Sequence, residues 1–144
     1  MIELSYTYKK GEELKMLRSK CMVTVPNNEY SEIDKPFEES FFIDAVWDTG
    51  ATSSSISKGL VDYLGLKPTG IKERISGANG IYESDVYKVD FYLTEDVVFR
   101  DISVSEMPHD NRLLFLIGLD IILQTDFSIH STKNLATLKV RYKK

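Results

Sequence analysis

The chain of 144 residues carries a formal net charge of -4, with 42% hydrophobic and 28% charged residues. That length suits one domain able to bury roughly two-thirds of its unfolded surface, with the composition of an ordinary globular protein. The acidic balance argues against a nucleic-acid partner held by its phosphates, and the single cysteine, Cys21, excludes an intramolecular disulfide framework. Met1 to Tyr6 lacks the basic start and apolar core of a signal peptide. No apolar stretch nears the roughly 20 residues that cross a bilayer. The expectation is a cytoplasmic protein without a membrane partner.

Strand signals lead from the start. Ile2, Leu4, Tyr6 and Tyr8 alternate with Glu3, Ser5, Thr7 and Lys9 at a period of two. From Glu12 to Lys20 the periodicity fits helix and strand equally. Cys21 to Val25 reads as a strand rich in apolar and β-branched residues. Asn27 to Ser40, polar and acidic with Pro36 inside, reads as a long loop. Phe41 to Trp47 is an apolar strand. Ser57 to Leu64 places Leu60, Val61 and Leu64 on one helical side, with Gly65 set to end it. Tyr87, Val89, Phe91 and Leu93 alternate again, and Val97 to Phe99 continues the strand pattern. Gly118 to Gln124 is a second helical candidate, with Leu119, Ile122 and Leu123 together. Leu138, Val140 and Tyr142 close the chain as a strand, and Lys139 to Lys144 reads as a solvated strand edge. The sum is a mainly-β domain with one or two short helices, closed or nearly closed into a barrel.

One run carries chemistry. Asp48-Thr49-Gly50-Ala51-Thr52 stands directly behind the apolar strand. Hydrolysing a peptide without metal or covalent intermediate requires a base for water and an acid for the carbonyl, and two adjacent carboxyl groups supply both. Two carboxylates about 3 Å apart repel by roughly 5 kcal/mol at an effective dielectric of 20. That is about four pKa units, so such a pair holds one proton over a broad pH range. The chain has a single Asp-Thr-Gly triplet, so the pair needs two copies of it. Gly50 suits a tight turn that brings amides to the carboxylate. Ala51 is small where loops meet, and Val46 and Trp47 anchor the strand. The triplet also suits an ordinary exposed turn, and chance supplies it in roughly a few per cent of chains this long. Its place after an apolar strand and before a serine-rich run and short helix favours the chemical reading.

These residues resemble the retropepsin-like aspartic peptidases, single-domain relatives of the retroviral proteases. Asp48-Thr49-Gly50-Ala51 is similar to their catalytic loop. Ile75-Ser76-Gly77-Ala78-Asn79-Gly80-Ile81-Tyr82 resembles the flap, a glycine-tipped hairpin that closes over substrate. Leu116-Ile117-Gly118-Leu119-Asp120-Ile121-Ile122 is similar to the motif that crosses behind the catalytic loop. The three stand in the family's order and span roughly Cys21 to Tyr142.

The resemblance implies a closed acid-protease barrel that forms a two-fold homodimer: one domain over 1–144, with a core at 21–142 and an amino-terminal extension at 1–20. That extension is expected to pair with the terminal strand Leu135 to Tyr142 or with the partner subunit, as part of an intersubunit sheet. Asp48 from each subunit would form the dyad, Thr49 would bond between the loops, and Gly50 would allow the turn. Ala51 and the flap residues Ser76, Gly77, Ala78, Asn79, Gly80 and Ile81 would hold a peptide or protein substrate as an added strand. Leu116, Ile117 and Gly118 would support the site from behind. No metal or other cofactor is implied. Ile81, Leu119 and Val46 are candidates for pocket walls.

Two departures stand out. Many viral members brace the dimer with acidic residues soon after the Asp-Thr-Gly-Ala run and an Arg after the later Gly. Here Thr52-Ser53 and Leu119-Asp120 occupy those places. The flap is also more polar at Ser76 and Asn79. An alternative is therefore a catalytically weak or inactive dimerisation or peptide-binding module of the same fold. His109 and His130 are distant and lack ligand spacing, so they read as surface residues rather than a metal site, and Cys21 reads as a small core residue.

Overall fold

The computed structural model describes residues 1–11, 15–26, 42–77, 80–108 and 113–143. The chain opens with β1 (Ile2–Lys9), β2 (Arg18–Thr24), β3 (Ile43–Trp47), β4 (Ser55–Ile56) and α1 (Lys58–Leu64). The long hairpin strands follow, β5 (Lys72–Gly77), β6 (Gly80–Thr94) and β7 (Val97–Glu106). The chain ends with β8 (Phe115–Ile117), α2 (Leu119–Ile122), β9 (Asp126–Ser131) and β10 (Leu135–Tyr142).

Seven strands join in the order β2-β3-β8-β4-β7-β6-β5, and an extra pairing of β2 with β6 closes all but β5 into a six-stranded barrel. The expected mainly-β closed barrel with short helices is the observed fold. β3 lies between antiparallel β2 and parallel β8. That central place explains the near-continuous apolar run before Asp48, where Ala45, Val46 and Trp47 are all buried. Phe91 and Phe115 stack in the barrel interior at 5.0 Å between ring centroids, within a core that also buries Tyr87, Ile117 and Ile121. Cys21 is fully buried there, and burial pushes its thiol pKa up.

A second, three-stranded sheet has the order β1-β10-β9. β1 pairs antiparallel with β10 over its whole length, from Ile2 opposite Tyr142 to Lys9 opposite Leu135. The alternation seen in β1 turns Ile2, Leu4, Tyr6 and Tyr8 toward the core cluster. Tyr6 and Phe127 reach Trp47, at 6.5 and 5.4 Å between centroids, so this sheet packs against the residue preceding Asp48. The indole Nε1–H of Trp47 donates to Ser19 Oγ at 2.7 Å, satisfying its one donor in the core.

Some local expectations change. β10 is the middle strand of its sheet, so Lys139 and Arg141 belong to a solvated face and not to a strand edge. β2 begins at Arg18, which gives the end of the ambiguous 12–20 segment to a strand; residues 12–14 lie outside the described residues, as does the expected loop from 27 to 40. α1 forms as expected: Ser57 Oγ accepts from Leu60 N–H, and Gly65 ends the helix at φ 68°. α2 is a single turn with Gly118 as its N-cap. Its buried residues are Ile121 and Ile122, whereas Leu123 is 76% exposed. Among the described residues no helix is long and apolar enough to cross a membrane.

Candidate active site

Asp48 is the first residue after β3. Its backbone N–H donates to Ile117 O at 2.9 Å, so the parallel pairing of β3 with β8 runs into the loop and fixes where the loop starts. The half-buried carboxylate folds back onto the loop, with Oδ1 accepting from Gly50 N–H at 2.9 Å. A Cβ at Gly50 would meet that oxygen at 3.2 Å. Gly50 is not among the residues with positive φ. Crowding by the carboxylate, and not backbone handedness, is what favours glycine. Ala51 N–H closes the turn onto Asp48 O at 3.2 Å, and Thr49 is exposed at its tip.

The loop is clamped from behind. Leu119 N–H donates to Ala51 O at 2.8 Å. The fully buried Ser54 accepts from Gly118 N–H through Oγ at 2.9 Å and donates from the same oxygen to Asp120 Oδ1 at 2.7 Å. Its own N–H donates to Asp120 Oδ2 at 2.9 Å. A Cβ at Gly118 would lie 2.6 Å from Ser53 C and 2.8 Å from Ser53 O. These contacts give a physical reason for the Leu116-Ile117-Gly118 pattern: buried Ile117 pairs with β3, Gly118 admits the loop, and Leu116 faces the cleft. Sequence reading missed the Ser54–Asp120 clamp. Its only signal is an acid two residues after Gly118.

β5 and β6 form the hairpin over this loop, paired from Lys72 opposite Asp85 to Gly77 opposite Gly80. Gly80 has φ 108°, a conformation that L side chains rarely adopt. Ala78 and Asn79 lie outside the described residues. Ser76 and Ile81 face each other in the register, both exposed, Ile81 at 65%. Alternation leaves Glu73, Ile75, Tyr82 and Ser84 on the opposite, more buried face.

Between hairpin and loop lies a cleft of about 530 Å³, whose lining includes Asp48, Gly50, Ala51, Ser53, Glu73 and Ile75. Tyr82, Met107, Pro108 and Leu116 also contribute to it. Of the expected pocket walls, Val46 is instead buried core, and Ile81 and Leu119 are not among the lining residues. Burial chiefly, and then the negative charge of Glu73, raises the pKa of the Tyr82 hydroxyl. Among the described residues no group of three His, Cys, Asp or Glu side chains is placed to hold a metal ion.

Comparison with known proteins gives the family and the fold. Residues 40–124 match the family described as gag-polyprotein putative aspartyl protease, and the chain belongs to that family of retropepsin-like aspartic proteases. The fold is similar to the crystal structure of a retropepsin-like aspartic protease from Rickettsia conorii, with a TM-score of 0.60 at 14% identity, over 96% of this chain and 92% of that one. EIAV protease complexed with the inhibitor HBY-793 aligns at 17% identity and TM-score 0.49, over 79% of this chain and 91% of that one. The retroviral protease-like domain of Ddi1 from Leishmania major aligns at 16% and 0.47, over 90% and 94%. No curated protein matches by sequence.

Proposed function

We propose that this chain is an aspartic endopeptidase that works as a homodimer, each copy supplying one Asp48. Family membership supports the reaction class. The observation that carries the reading is the Asp48 carboxylate, half-buried at a cleft beneath a hairpin and oriented by the Gly50 amide. A lone carboxylate cannot serve as base and acid at once, so a second copy must bring its own.

With the two carboxyl groups side by side, like-charge repulsion keeps one protonated and one ionised. The ionised Asp48 takes a proton from water as the oxygen attacks the scissile carbonyl carbon. The protonated Asp48 gives its proton to the carbonyl oxygen, and a tetrahedral diol forms. Collapse of that diol breaks the C–N bond, with a proton passing to the leaving amine. Thr49, exposed at the loop tip, would meet its counterpart across the dimer axis. Ala51 and the hairpin from Ser76 to Ile81 would flank a peptide bound as an added strand. The three-stranded sheet of the termini, with β1 and β9 as its outer strands, would join the two copies, and the site requires no cofactor.

Mixing tests the shared dyad. Adding an excess of Asp48→Asn chain to wild type should suppress cleavage in proportion to the loss of wild-type homodimer. Undiminished turnover with subunit exchange demonstrated would sink the proposal. Dimers that bind peptide but make no Asp48-dependent cut would favour the binding-module reading instead.

A further inference from the structure

We propose that Glu73 makes this cleft select peptides with a basic side chain, lysine or arginine, at the position facing the Ser53–Glu73 wall; the inference rests on the peptidase reading and names its substrate class. β5 alternates, so Glu73 shares the inner face of the hairpin with Ile75, while exposed Arg74, opposite Glu83 on the other face, also borders the cleft and forms no ion pair with Glu73 among the described residues. Glu73 is half-buried and lines the cleft that also holds Asp48. Its Oε1 accepts from Ser53 Oγ at 3.2 Å, which aims the carboxylate across the cleft from hairpin to loop.

That hydroxyl is neutral. The ion pairs among the described residues are Lys58–Asp62, Lys72–Asp85, Arg100–Asp90 and Arg141–Glu3, and none uses Glu73. The neighbouring base Lys72 is thus already committed to Asp85 on the outer face. A part-buried carboxylate with a neutral tether retains acceptor capacity for a cation. Ile75, Tyr82 and Met107 line the same cleft and offer apolar or aromatic surface that suits the methylene stem of a lysine. An acidic substrate side chain at the same place would meet like charge, so the wall discriminates in both directions.

The test uses the full chain and matched peptides that differ only in lysine, norleucine or glutamate at each position in turn. Wild type should prefer lysine to norleucine at one position by about tenfold in kcat/KM, the size of one charge-assisted contact at a part-buried site. Glu73→Gln should bring that ratio close to one, and Glu73→Lys should shift preference toward glutamate. If Glu73 only tethers the hairpin, Glu73→Gln and Ser53→Ala will slow all peptides alike with the ratio intact, and the proposal falls. Absence of any Asp48-dependent cut would refute the peptidase reading separately. Peptide binding to Asp48→Asn protein then decides the Glu73 question: a Glu73-dependent lysine preference in Kd upholds it, and equal or absent binding overturns it.

Discussion

Ser54→Ala isolates the clamp behind the Asp48 loop. Ser54 is fully buried, and its hydroxyl has two partners, Gly118 N–H at 2.9 Å and Asp120 Oδ1 at 2.7 Å. The substitution leaves a buried amide without an acceptor, at about 1–3 kcal/mol, and removes a hydrogen bond to a carboxylate, worth about 1.5–3 kcal/mol. Asp120 Oδ1 keeps its bond from Ile121 N–H at 2.9 Å, and Oδ2 keeps the Ser54 amide, which limits the second loss. The net expectation is about 3 kcal/mol. At a urea dependence of about 2 kcal/mol per molar, the midpoint falls by about 1.5 M. Trp47 is the only tryptophan and is buried beside Asp48, so its fluorescence follows unfolding at the site. Ser55→Ala is the control, because its hydroxyl has only a 3.4 Å contact with Ser105 Oγ; it should cost under about 1 kcal/mol. Both proteins are compared at one chain concentration, since dimerisation adds stability by mass action. A Ser54→Ala midpoint matching that of Ser55→Ala would refute the clamp.

Two further outcomes follow from the same geometry. Gly118→Ala forces a methyl to within 2.6 Å of Ser53 backbone, while the backbone at φ -94° is open to any residue. Its cost is therefore steric, about 3 kcal/mol or more. Gly65→Ala, at φ 68° with nothing within 4 Å, should cost about 1 kcal/mol from handedness alone. Thermal melts that rank the two in the opposite order would contradict this. Burial chiefly raises the Tyr6 pKa to about 12 from 10.0. The folded state thus holds this proton more tightly than the unfolded state. Its contribution is fully present below pH 10 and is lost as pH rises from about 10 through 12. Tyr6→Phe should flatten the fall in stability over that window; an identical pH profile would disprove the assignment.

What was legible in the sequence was contiguous. The alternation of Ile2 to Lys9 declares a half-buried strand, the Ser57 and Gly65 signals bracket α1, and the Asp48 run stands in five consecutive residues. What was not legible depends on register or on distant pairing. Whether Glu73 or Arg74 takes the more buried face of the hairpin is decided by pairing β5 with β6 at Ile75 opposite Tyr82, and a slip of one residue would exchange them. The clamp joins Ser54 to Asp120 across 66 positions, which no local pattern announces. The sequence pattern places Leu123 on the apolar side of α2, yet it is exposed, because a single turn is too short for a 3.6-residue period to fix its phase. The basic end reads as an edge in the sequence because nothing in β10 reveals that strands lie on both of its sides.

The most direct test of the central claim is cleavage of a diverse peptide library by wild type and Asp48→Asn, over protein concentrations spanning dimerisation and from about pH 4 to 7. The account predicts cuts made by wild type alone, with rates rising more steeply than linearly with concentration while the dimer is forming. Cuts that survive Asp48→Asn, or Asp48-dependent cuts by a protein shown to remain monomeric, would contradict it.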